Sequence, residues 1–177
     1  MSWIGGIFSK VNTDQSELRK EATIMMQTAC LVNKSSVAVY PWSIASLLEN
    51  AGGGALAQVS FPIEGQFLAY HYPDCQGNLV LLHDGHLYNP QAIASNFSQN
   101  HQGAKETNTE PLVHLFEELP GSLEQKVREV LTDLDGDYAL AVSNADRTVI
   151  SRNCLGTKPL YFAEDDRFSA FASNKKP

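Results

Sequence analysis

From Asp137 to Ala172 the period changes from helical to two, in short apolar runs separated by polar loops. That rhythm constrains the fold more than any other feature of the chain, because only a strand puts alternate side chains on one face. Tyr138–Val142, Thr148–Ser151, Leu160–Ala163 and Phe168–Ala172 read as strands. Asn144-Ala145-Asp146-Arg147 and Glu164-Asp165-Asp166-Arg167 read as the hairpin loops between them. Upstream the period is helical. Leu112, Leu115, Phe116 and Leu119 fall at i, i+3, i+4 and i+7, with Asn108 as the predicted cap and Pro120-Gly121 as the stop. Ser122 with Gln125 is read as opening another helix, bearing Val127, Val130, Leu131 and Leu134.

The first half mixes both periods. Residues 3–8 are apolar and Gly-punctuated and read as a buried strand. Asp14 with Glu17 predicts a capping box, followed by Leu18, Ala22, Met25 and Ala29 on one helical face. Ser36–Tyr40, Ala55–Phe61, Phe67–Tyr72 and Leu79–Leu82 are strand candidates, the last stopping at the turn dipeptide Asp84-Gly85. Asn89-Pro90 predicts a cap and first turn for a short helix carrying Ile93 and Phe97. Strands, then helices, then strands imply stacked sheets with helices packed on them, an α+β layered architecture.

Composition excludes several function classes. With 177 residues, 43% of them apolar, residues 1–177 suit one domain with a full core. A net charge of -7 repels phosphate backbones, so no nucleic-acid partner is expected. No apolar run approaches the ~20 residues of a membrane span. The apolar start has no charged leader, and a cytoplasmic protein is expected. Cys30, Cys75 and Cys154 match no metal or redox spacing, and neither metal nor other cofactor is expected.

Several stretches, in order and covering nearly the whole chain, resemble the glutaminase domain of asparagine synthetases and related class II glutamine amidotransferases. They are Met1–Phe8, His83-Asp84-Gly85-His86-Leu87-Tyr88-Asn89, Thr107-Asn108-Thr109-Glu110, and Leu134-Asp135-Gly136-Asp137-Tyr138 running on to Gly156-Thr157-Lys158-Pro159-Leu160-Tyr161 and Phe171-Ala172-Ser173. The resemblance implies a four-layer αββα Ntn-hydrolase sandwich, two antiparallel sheets between helical layers. It also implies a synthetase domain or subunit as partner and a small amino-acid-like ligand, and it leaves homo-oligomerisation open.

In that family an N-terminal cysteine is the nucleophile and its own α-amino group can act as the base. This chain has Ser2 there, a poorer nucleophile than a thiol, with the bulky Trp3 beside it. The resemblance places the oxyanion-hole pair at Asp84 and Gly85, where a carboxylate repels a developing oxyanion and only the Gly85 N–H can donate. It places the two acids that hold the glutamine α-ammonium at His86 and Asn108, and the arginine that grips the α-carboxylate near Ala57 or Gln58. No arginine occurs between Arg19 and Arg128. The expectation is a degenerate domain without normal glutaminase activity. The alternative is an active Ntn hydrolase that uses Ser2 on an amide substrate.

Overall fold

The computed structural model describes residues 2–29, 53–60, 72–73, 78–95, 109–144 and 146–174. The predicted strand Ser36–Tyr40, most of Phe67–Tyr72, and the positions Phe97 and Asn108 lie outside them.

Two four-stranded antiparallel sheets form the centre. The first is built from β1 (Ser2–Ser9), β2 (Gly54–Ser60), β7 (Tyr161–Glu164) and β8 (Phe168–Ala172), in the order β2-β1-β8-β7. The second holds β3 (Tyr72–Pro73), β4 (Val80–Leu87), β5 (Gly136–Ser143) and β6 (Thr148–Arg152), in sequence order. The helices are α1 (Gln15–Ala29), α2 (Pro90–Ala94), α3 (Glu110–Glu118) and α4 (Leu123–Asp133).

Strand alternation sorts side chains into three apolar layers. Ile4, Leu56, Val80, Leu82, Ala139, Ala141 and Phe171 interdigitate between the sheets. The intervening residues of the second sheet, Leu81, Leu87, Tyr138, Leu140 and Val142, face α2, α3 and α4 and bury Phe116, Leu112 and Val127. Leu18 and Ala22 of α1 cover Ala55 on the outer face of the first sheet. Each fully buried Leu or Phe stabilises this stack by about 1.5–3 kcal/mol before entropy is counted. The result is helix, sheet, sheet, helix, the layering the resemblance implied.

The four C-terminal strands and the Ser122–Gln125 helix start occur where the period and the cap signal placed them. Four local expectations are corrected. Asp84-Gly85 does not turn the chain: β4 runs through it to Leu87, with Gly85 opposite Tyr138. Pairing with β5 along eight residues outweighs the local turn preference. Asn89 occupies the N-cap position of α2 with Pro90 opening the helix, but its side chain makes no cap bond; it donates to the Asp133 carbonyl and accepts from the Asp135 N–H, tying β4 to the end of α4. The cap position of α3 is Thr109, not Asn108, and its hydroxyl meets His83 instead of a helix N–H. At α1, Asp14 caps the helix as read, accepting from the Ser16 N–H and hydroxyl, but Glu17 does not close the box: its carboxylate pairs with Arg167 at 3.7 Å.

Candidate functional site

β1 lies across β4, so the start of the chain and the Asp84-Gly85-His86 segment belong to the same part of the sandwich. Ser2 is the first residue of β1, opposite Ser60 of β2. Gln58 sits two pairs further along, opposite Ile4. Of the predicted ligand positions, Asn108 is outside the described residues.

Alternation along β4 puts Asp84 on the same face as Val80 and Leu82, looking toward the first sheet. Its side chain is 3% exposed, and its Oδ1 accepts from the Lys158 ammonium at 3.2 Å. Lys158 comes from the loop between β6 and β7, 74 residues away in sequence. A carboxylate taken out of water needs such a counter-charge, because its desolvation costs several kcal/mol. Lys158→Met is therefore expected to lower stability by about 2 kcal/mol, less than a fully buried pair because the lysine is 27% exposed. Urea unfolding at pH 7 measures this, and Asp84→Asn added to that variant is expected to restore most of the loss.

Gln58 is 5% exposed. Its Nε2 donates to the His83 carbonyl at 3.0 Å, a hydrogen bond that crosses between the sheets. Its Oε1 is buried with no hydrogen-bond partner. The side chain thus presents a buried acceptor and carries no cation.

His83 looks the other way, toward the helices, where its Nδ1 is 2.7 Å from the Thr109 hydroxyl. Burial lowers its pKa to about 4, helped by the nearby positive charges of Lys158 and His86. It is a neutral ring at physiological pH.

His86 is exposed, its ring 5.7 Å from that of Tyr88. Opposite it in the ladder is Asp137, which accepts from the Tyr88 hydroxyl at 2.5 Å and the Thr157 hydroxyl at 2.7 Å. These two hydrogen bonds hold the Asp137 carboxyl below the usual carboxylate range and push the Tyr88 phenol up. Asn153 braces the same loop, bonding to the Thr157 hydroxyl at 2.7 Å and to the Thr157 N–H at 3.2 Å. His114 is not part of the cluster; it pairs with Glu117 at 2.9 Å along α3.

The structure thus brings Asp84, Gly85, His86 and Gln58 together around the β1–β4 crossing. Lys158, Thr157 and Asp137 belong to the same neighbourhood and went unrecognised in sequence. Their only signal was membership in the Gly156–Tyr161 and Leu134–Tyr138 stretches that carry the family resemblance, to which no site role was attached.

A profile of the glutamine amidotransferase domain matches residues 70–177. The chain is 31% identical over 130 residues to a putative glutamine-hydrolysing asparagine synthetase of Methanocaldococcus jannaschii, covering 72% of this chain and 22% of that protein. It is 33% identical over 101 residues to a glutamine–fructose-6-phosphate aminotransferase of Thermococcus kodakarensis, covering 55% of this chain and 17% of that one. Among solved structures, the glutamine phosphoribosylpyrophosphate amidotransferase of Bacillus subtilis superposes on 97% of this chain and 41% of its own, with TM-score 0.65 and 18% identity. A structure titled as the allosteric regulatory enzyme of purine biosynthesis gives TM-score 0.70 at 18% identity over the same shares. The chain therefore spans about a fifth of the length of the curated relatives it matches. The two-sheet sandwich is that of the Ntn hydrolases, and the chain belongs to the class II glutamine amidotransferase domain family.

Proposed function

We propose that residues 1–177 form one degenerate glutamine amidotransferase domain, without normal glutaminase activity, that serves a structural, regulatory or ligand-binding role beside a synthetase domain or subunit. One observation carries this reading: the position that should donate to a tetrahedral oxyanion holds a buried carboxylate, Asp84, already neutralised by Lys158. An ionised carboxylate has no hydrogen to donate to a developing oxyanion, and removing even one oxyanion donor from a working site costs about 2.7–4 kcal/mol of transition-state stabilisation. Gln58 supports the same reading, since it offers no cation to a substrate carboxylate. A hydroxyl nucleophile at Ser2 adds a further handicap. The synthetase partner follows from relatives named as asparagine synthetases, of which this domain is the smaller part.

Ammonia release from L-glutamine, measured at high protein concentration, tests the proposal. No release above buffer is expected, and Ser2→Ala is expected to change nothing. Turnover that disappears in Ser2→Ala would overturn it and establish the Ser2 hydrolase instead.

A further inference from the structure

β7 is the outer strand of the first sheet, with β8 on one side and no strand on the other among the described residues. All four of its residues are exposed. Successive residues of a strand face opposite ways, so this means that neither α1 nor the second sheet covers either face of β7. Two of the four are large and apolar: Tyr161 is 44% exposed and Phe162 is 60% exposed. The strand carries none of the usual edge protection of Pro, Lys or a bulge; its single charge, Glu164, is at the far end and pairs with Lys10 at 3.5 Å.

The register shows what Phe162 lacks. It lies directly opposite Phe171, on the face that looks into the sandwich. Phe171 is buried there and stacks on Phe8 with ring centroids 6.3 Å apart. The row Phe8, Phe171, Phe162 therefore runs outward from the core and ends in solvent.

We infer that β7 pairs antiparallel with β7 of a second copy of this chain, joining the two first sheets into one eight-stranded sheet. A twofold axis normal to the sheet must map a residue onto its own copy, because opposed side chains share a face. Centred on Phe162, it sets the two Phe162 rings opposite each other and Tyr161 opposite the partner's Ala163. The row of rings then continues unbroken from one core to the other, in the aromatic cross-strand pairing that stabilises sheets. The same register keeps the acidic ends, Glu164, Asp165 and Asp166, at opposite ends of the strand pair, so no like charges face each other. A centre on Glu164 opposes two carboxylates, one on Ala163 leaves each Phe162 against Glu164, and one on Tyr161 takes the two Phe162 rings apart and breaks the aromatic row.

Light scattering behind size exclusion, or sedimentation equilibrium, over a concentration series tests this on the full chain. A monomer–dimer equilibrium is expected. Phe162→Glu should shift it at least tenfold toward monomer with an unchanged circular-dichroism spectrum, since the side chain is exposed. Leu155→Glu, at another exposed apolar residue off the strand, should not shift it. A chain that stays monomeric throughout the series, or a dimer indifferent to Phe162→Glu, would overturn the inference. Neither result bears on the absence of glutaminase activity.

Discussion

Gly85→Ala is expected to cost more than about 3 kcal/mol and to leave little folded protein. A Cβ at this position would sit 1.9 Å from the Asp137 carbonyl oxygen and 2.8 Å from the Tyr138 Cα, both backbone atoms of the adjacent strand. Backbone within the β4–β5 ladder cannot move aside without breaking the pairing that supports both apolar layers. The residue also has φ +140°, which an L side chain rarely adopts. Gly121→Ala is the matched control. Its φ is +100°, but its Cβ would meet only the Gln125 side chain in an exposed loop, and a loss of about 1 kcal/mol is expected. Thermal unfolding followed by circular dichroism separates the two; a Gly85→Ala variant melting with the wild type would refute the packing argument. The consequence reaches the functional reading. A glycine at position 85 is required by the close contact between β4 and β5, so its presence is no evidence of catalysis.

The second large effect is on pH dependence. Unfolded, the His83 ring takes a proton near pH 6.5; folded, it does so only near 4, because burial and the positive charges of Lys158 and His86 oppose ionisation. Between those values the unfolded state binds more protons, so stability rises with pH across the window and falls on acidification through it. The difference corresponds to about 3 kcal/mol, fully lost by pH 4. Urea unfolding at pH 7 and at pH 4.5 should show it, superimposed on the carboxylate contributions. His83→Gln, which keeps a polar group toward Thr109, should remove most of that slope while costing stability at pH 7. An identical pH slope in the variant would show that His83 is not the group responsible.

The local signals in the sequence were strong where the physics is local. The helix start at Ser122 and Gln125 forms as read because a cap hydroxyl and an amide three residues on need nothing from the rest of the chain. The C-terminal hairpins form as read because short strand-forming runs joined by polar loops are a local signal. Reading failed where a local preference met a tertiary demand. Asp84-Gly85 has the composition of a turn, yet eight residues of pairing with β5 carry the strand straight through it. Asn89 and Thr109 have the chemistry of caps, yet their side chains reach Asp133 and His83.

The same division applies to the candidate site. Sequence order alone aligned Ser2, Gln58, Asp84, Gly85, His86 and Asn108 with one family's site positions and exposed how many of them had changed type. It also determined the layered class, because side-chain period is a property of neighbouring residues. It could not reveal that Asp84 is answered by Lys158, that Gln58 is tied to the His83 carbonyl, or that β7 is left uncovered. Those facts depend on which segments meet across the two sheets, and charge compensation and burial act through space, between residues that chain order keeps far apart.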